Sequence, residues 1–168
     1  MEKDSFPQFG TTGRKLVYDE NGKPCRTCNT LLDFQLATGK ITATEANTSL
    51  VNKTTNNNSY RDDPPDVEQL GRSSWTLLHS IASKYPVTPS TEEQLDMKNF
   101  INIFSKIYPC NWCAADFRNY IATNAPKVGS REELGKWFCE AHNEVNEKLG
   151  KAKFDCNLWE KRWKDGWD

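Results

Sequence analysis

Long apolar runs are the first thing this 168-residue chain lacks. Nowhere do roughly 20 apolar residues follow one another, so no membrane-spanning helix and no membrane insertion is expected. An excess of one charge sign is also missing. Lys and Arg total 22 against 23 Asp and Glu, a net charge of -1, so a nucleic-acid partner has no electrostatic support. The opening Met-Glu-Lys-Asp-Ser-Phe has neither the basic and apolar regions of a secretory signal nor the Arg-rich pattern of a matrix presequence. Strand-like alternation of apolar and polar residues is nowhere sustained, which excludes a CxxC on a thioredoxin-like βαβ unit.

What is present is six cysteines in three pairs of different character. Cys25-Arg26-Thr27-Cys28 lies in a polar amino-terminal stretch, and Cys110-Asn111-Trp112-Cys113 follows Pro109 at the head of an aromatic-rich segment. Cys139 and Cys156 stand far apart, flanking a helix that carries His142, Asn143 and Asn146. Two CxxC units with one spaced pair suggest two exchangeable disulfides and one fixed disulfide, a set seldom carried in a reducing compartment.

Residues 1–65 are poor in large apolar side chains and read as a flexible arm; 66–168 read as a helical domain. The Asn/Thr-rich run from Thr42 to Ser59 is expected to be disordered, and its three sequons at Asn47, Asn52 and Asn57 to be accidents of composition. Leu31, Leu32, Phe34 and Leu36 form one apolar patch that is a short docking helix, a strand or unordered. Asp66 with Gln69 then caps a helix carrying Val67, Leu70, Ser74, Leu77, Leu78, Ile81 and Tyr85 inward until Pro86. Ser90 with Glu93 caps a second, facing Met97, Phe100, Ile101, Phe104, Ile107 and Tyr108 inward. A third starts near Cys110, with Phe117, Tyr120 and Ile121 inward. A fourth is capped by Ser130 and Glu133 and ends at Gly150; a short fifth starts near Cys156 with Leu158, Trp159 and Trp163. The expected fold is all-α, a four-helix bundle with a short fifth helix.

At i and i+3 of a helix, Cys110 and Cys113 can form a disulfide, and the helix start favours a thiolate there. The alternative is a zinc half-site shared with Cys25 and Cys28, but 81 intervening residues make a poor spacing for it. Cys25 and Cys28 have nothing nearby to bury them, so they are expected to be accessible, as a mobile electron carrier or a local staple. Cys139 with Cys156 ties the last helix to the fourth and reads as structural. Gly71, Arg72, Trp75 and His79 form a stripe on the first helix about 100° from its core stripe. On the fourth, His142, Asn143 and Asn146 form another, followed by Lys148, Lys151 and Lys153. Such aromatic, amide and cationic linings suit a planar ring system bearing phosphates.

Several segments together resemble the Erv/ALR family of FAD-linked sulfhydryl oxidases, and most of all its fungal members from the mitochondrial intermembrane space. They are Tyr18 to Cys28, Gly71-Arg72-Ser73-Ser74-Trp75-Thr76-Leu77-Leu78-His79-Ser80, Tyr108 to Cys113, Cys139 to Gly150, Phe154-Asp155-Cys156 and Trp159 to Trp167. The resemblance implies an FAD cofactor held in the helical bundle by Gly71, Arg72, Trp75, His79, Tyr85, Phe117, His142, Asn143, Val145, Asn146, Lys148, Lys153 and Trp163. It implies that Cys113 abuts the flavin, that Cys110 exchanges with a shuttle pair Cys25–Cys28, and that the shuttle re-oxidises a CPC-type import oxidoreductase. Electrons then pass to cytochrome c or O2, the latter giving peroxide. It also implies a homodimer in the intermembrane space; with no cysteine spare and none after Cys156, the dimer is expected to be non-covalent and the shuttle amino-terminal. The competing expectation is a zinc-stabilised helical adaptor without catalysis.

Overall fold

A computed structural model describes residues 7–11, 14–18, 21–25, 28–42 and 64–167. The three sequons and nearly all of the run expected to be disordered lie outside these residues. The chain divides into two compact parts, Met1–Leu70 and Gly71–Asp168.

In the first part, two isolated antiparallel bridges join Phe9 to Lys15 and Tyr18 to Pro24, neither growing into a strand. Helix α1 (Leu31–Ala37) follows, its start fixed by the Thr30 hydroxyl accepting from the Asp33 amide. The apolar patch is therefore helical, with Leu31, Leu32, Phe34 and Leu36 half-buried. Buried here are Leu16 and Ala37 but also Asn29 and Asp33. So small a core is knit by polar groups as much as by apolar ones. Asp33 Oδ1 accepts from the Thr11 amide at 2.7 Å and from its hydroxyl at 3.0 Å. Cys25 and Cys28 are half-buried in this network, where the sequence alone leaves them uncovered.

The helices run α2 (Val67–Lys84), α3 (Thr91–Ile107), α4 (Asn111–Thr123) and α5 (Arg131–Lys148), then a 3₁₀ turn Cys156–Leu158 and a π turn Lys161–Asp165. Their boundaries follow local chemistry. Asp66 and Gln69 exchange side-chain-to-amide bonds at the start of α2 (2.9 and 3.2 Å), and Ser90 and Glu93 do so for α3. Ser130 accepts from the Glu133 amide at α5. Helices α2 and α3 stop two residues short of Pro86 and Pro109, whose rings would clash with a continuing turn. Past α5, Gly150 takes φ +66°, a left-handed conformation, and the Lys151 amide returns to the Asn146 carbonyl at 2.8 Å. The expected short fifth helix is present as one continuous helical stretch over 156–165, 3₁₀ at its start and π-wound at its end.

The core of the second part gathers Leu78 and Ala82 from α2 with Tyr85 just past its end, Ile101 from α3, Val128, and Leu134, Trp137 and Phe138 from α5. Two residues expected inside are outside: Leu77 is 54 % exposed and Ile107 72 %. The inward face of α2 is centred on Leu78 and Ala82, at i and i+4, which turns Leu77 about 100° away from Leu78. Ile107 is the last residue of α3, one turn beyond Phe104, where the core ends.

The carboxy-terminal turns are fastened to α5 at two points one helical turn apart. A Cβ at Gly135 would meet the Trp159 ring at 2.5 Å, so only glycine lets that buried indole lie on the helix. Cys139 is bonded to Cys156, Cα atoms 5.7 Å apart. Replacing Cys139 by Ser should cost about 3 kcal/mol by the loop-entropy argument. Thermal unfolding without reductant should report the loss, with thiol oxidation by the folded protein kept.

Candidate active site

The Cys110–Cys113 disulfide, Cα atoms 5.3 Å apart, sits at the head of α4, where Cys110 is the residue capping the helix. The Cys113 amide donates to Cys110 Sγ at 3.2 Å, a bond that stabilises negative charge on that sulfur once the disulfide opens. The preceding Tyr108 is tied down from two sides. Its amide donates to the Phe104 carbonyl at 3.1 Å, and its hydroxyl, pushed up in pKa by burial, is hydrogen-bonded to the Ser74 side chain on α2. Cys110 is 1 % exposed, Cys113 is half-buried and Trp112 between them is 73 % exposed. The sulfur expected to exchange is thus the more sheltered of the two.

Phe117 lies one turn after Cys113 and meets Trp75 of α2 edge-on, centroids 6.3 Å apart. Trp75 belongs to a quartet of rings. It stacks on His142 of α5 at 4.3 Å and 4°, while His79 stacks on Trp163 of the π turn at 4.4 Å and 9°. The two histidines meet at 3.1 Å, Nε2 of His79 against Nδ1 of His142. His79 is 1 % exposed, and its Nδ1 has no hydrogen-bond partner among the described residues. Burial chiefly, then His142 and Arg162, lowers its pKa from 6.5 to about 3; burial and Lys151 lower His142 to about 4. Both rings are neutral at physiological pH. The guanidinium of Arg162 lies 4.7 Å over the Trp163 ring.

Other expected ligands are placed differently. The Asn143 side chain is used in closing the loop after α5, donating to the Phe154 carbonyl and accepting from its amide, both at 2.8 Å, and lying 3.4 Å from Cys156 Sγ. Asn146 donates to Asn143 at 3.4 Å. Lys148 pairs with Asp116 at 2.7 Å and Glu144 at 3.4 Å, and Lys153 with Glu147 at 2.7 Å. Tyr85 is buried with its hydroxyl donating to the Val128 carbonyl at 3.0 Å. Val145 is half-buried on α5, and Arg72 is exposed on α2. Among the described residues, nothing outside the helix's own backbone comes within 4 Å of the position a Cβ would take at Gly71, so that face of α2 is open to them. The Tyr108–Ser74 tie escapes sequence reasoning because the apolar period places each residue inward on its own segment and says nothing of which partner it meets across the bundle.

Cys25 and Cys28 form the third disulfide, Cα atoms 5.3 Å apart. With all six cysteines paired, the four sulfurs a zinc site would need are in disulfides.

The Erv1 / Alr family matches residues 72–164. The chain is 61 % identical to the mitochondrial FAD-linked sulfhydryl oxidase ERV1 of Saccharomyces cerevisiae, covering 98 % of this chain and 95 % of that protein. It is 44 % identical to the protein of the same description in Schizosaccharomyces pombe, covering 88 % and 90 %. Among solved structures, the yeast Erv1 core superposes with a TM-score of 0.63 at 68 % identity, covering 69 % of this chain and 99 % of that one. The FAD-binding domain of Saccharomyces cerevisiae Erv1 gives a TM-score of 0.61 at 70 % identity, covering 62 % and 100 %.

Proposed function

This chain belongs to the Erv1/Alr family, and on that premise we propose that it is a mitochondrial FAD-linked thiol oxidase that re-oxidises a CPC-type import oxidoreductase in the intermembrane space. The observation that carries the reading is a disulfide at a helix start, one turn from an aromatic wall containing two neutral histidines. That wall suits a flavin nucleotide. It offers flat ring faces, a buried His79 Nδ1 in need of a partner, an open backbone at Gly71, and positive charge from Lys151 and Arg162. Trp75, His79, His142 and Trp163 would hold the ring system, with Phe117 next to Trp75. When bound, FAD supplies the two-electron acceptor that returns Cys110 and Cys113 to the disulfide, with cytochrome c or O2 as final oxidant.

The chain's own steps are thiol–disulfide exchanges. A thiolate of the reduced Cys25–Cys28 pair attacks Cys110 Sγ, the Cys110–Cys113 bond breaks, and Cys113 leaves as thiolate. The second arm thiolate then attacks its partner in the mixed disulfide and releases Cys110. The arm disulfide is restored, and two electrons and two protons have moved to Cys110 and Cys113. Because Cys110 is sheltered, this exchange requires the Tyr108–Asn111 segment to shift when the arm arrives. A non-covalent homodimer is supported by the exposed apolar row Leu95, Ile103 and Ile107 along α3, together with the absence of any unpaired cysteine.

The purified protein should be yellow and should consume O2 when given dithiothreitol; a colourless protein without thiol-dependent oxygen uptake overturns the oxidase. Cys25→Ser should leave dithiothreitol oxidation within about twofold of the parent while lowering turnover of the reduced CPC-type oxidoreductase at least roughly tenfold. Equal turnover of that protein by the variant removes the shuttle.

A further inference from the structure

We propose that Asn29 is a positioning residue for the Cys25–Cys28 disulfide, holding its two cysteines in closing distance while the pair is reduced. The inference rests on the shuttle role given above and adds to it the device that makes the pair work.

Asn29 is 4 % exposed in a segment with little apolar cover, so its burial must be balanced by hydrogen bonds. Its side chain makes three. Oδ1 accepts from the Val17 amide at 3.0 Å, and Nδ2 donates to the Val17 carbonyl at 2.8 Å and to the Cys25 carbonyl at 2.6 Å. The Cys25 amide donates to that same Val17 carbonyl at 2.9 Å. Both backbone polar groups of Cys25 are thereby fixed to the Val17–Asn29 pair. Asn29 is at the same time the residue covalently next to Cys28. One amide side chain thus links the two halves of the disulfide by a route that does not pass through sulfur. Its own backbone is anchored as well: the Asn29 carbonyl accepts from the Val67 amide at 3.3 Å, and the Asp66 carboxylate accepts from the Leu31 amide at 3.1 Å.

Reduction breaks the S–S bond and leaves these hydrogen bonds unchanged in number. The two thiols then remain apposed, which raises the effective concentration of one for the other and favours closure over a lingering mixed disulfide. Only Asn fits this arrangement. Asp keeps the acceptor for Val17 but turns both donors into a charged oxygen facing two carbonyl oxygens, and Gln displaces the amide by a methylene.

The experiment uses the full-length flavin-loaded protein. The parent, Asn29→Ala and Asn29→Asp are equilibrated in glutathione buffers, and the fraction of Cys25–Cys28 oxidised is read by alkylation and peptide mass spectrometry; Cys25→Ser is assayed for turnover alone. Asn29→Ala should shift this pair about tenfold toward the dithiol, equivalent to about 30 mV. Its kcat for the reduced CPC-type oxidoreductase should fall about tenfold with dithiothreitol turnover unchanged. Asn29→Asp should be worse than Asn29→Ala at pH 7.5, and its deficit relative to the parent should shrink toward pH 5 as the carboxyl takes up a proton and becomes a donor. A parent-like glutathione equilibrium in Asn29→Ala, or an Asn29→Asp deficit that is flat with pH, overturns the positioning role. If instead Cys25→Ser keeps full turnover of the protein substrate, the shuttle reading fails, and the glutathione equilibrium still decides what Asn29 does.

Discussion

Cys110→Ser and Cys113→Ser should each lower thiol-dependent oxygen uptake at least roughly a thousandfold, with dithiothreitol as with a protein dithiol. The size follows from the chemistry being a unit. Two-electron oxidation of a dithiol through this site needs both sulfurs, and neither can be replaced by a hydroxyl that forms no S–S bond. The two variants should nevertheless differ in what accumulates. With Cys113 replaced, Cys110 remains bonded to the capping geometry of α4, its sulfur supported by the amide of residue 113. It can then be captured by the arm as a mixed disulfide that has no resolving partner. With Cys110 replaced, Cys113 is one turn into the helix and lacks that amide, so the adduct with Cys25 or Cys28 should be scarce. Non-reducing peptide mapping distinguishes the two. A dominant adduct at Cys113 in the Cys110→Ser protein would reverse the assigned roles, an outcome the 1 % exposure of Cys110 makes worth measuring.

Much of the helical frame is legible in the sequence because its boundaries are local events. Pro86 and Pro109 stop α2 and α3, and the pairs Asp66/Gln69, Ser90/Glu93 and Ser130/Glu133 start helices by hydrogen bonds spanning three residues. Faces are less secure. Leu77 and Ile107 satisfy the apolar period yet are exposed, since a helix in a small bundle buries a narrower stripe than its hydrophobic residues fill. The Trp75–His79 stripe is legible as non-core, but its depth is not. His79 is covered by Trp163 and His142, which reach it only through the path of the chain after Gly150. The described part of the arm holds what composition discloses least. Its described residues hold one short helix and buried Asn29 and Asp33, and buried polar residues leave no periodic trace. The duties of Asn143, Lys148 and Lys153 within the fold depend on partners that no motif specifies.

The histidine pair makes the protein acid-sensitive in a defined window. In the unfolded chain both rings titrate near 6.5, whereas in the fold His79 is held down to about 3 and His142 to about 4. Below pH 6.5 the unfolded state therefore binds protons that the folded state refuses. The stabilisation is fully present above that pH and is lost progressively as pH falls toward 4. Between pH 6.5 and pH 4 the loss from His79 alone is on the order of 3 kcal/mol, enough to move a urea midpoint by more than 1 M at an ordinary m-value. His79→Phe keeps a ring against Trp163 and removes the titrating group together with its unpaired Nδ1. Its unfolding midpoint should therefore depend less steeply on pH over that interval, although its hold on the flavin should weaken through the lost nitrogens. Urea unfolding followed by Trp fluorescence at pH 7, 5.5 and 4.5 measures the slopes. Parallel slopes for parent and variant would mean that His79 takes up its proton without disturbing the fold, and the neutral ring pair would then have no part in holding the aromatic wall together.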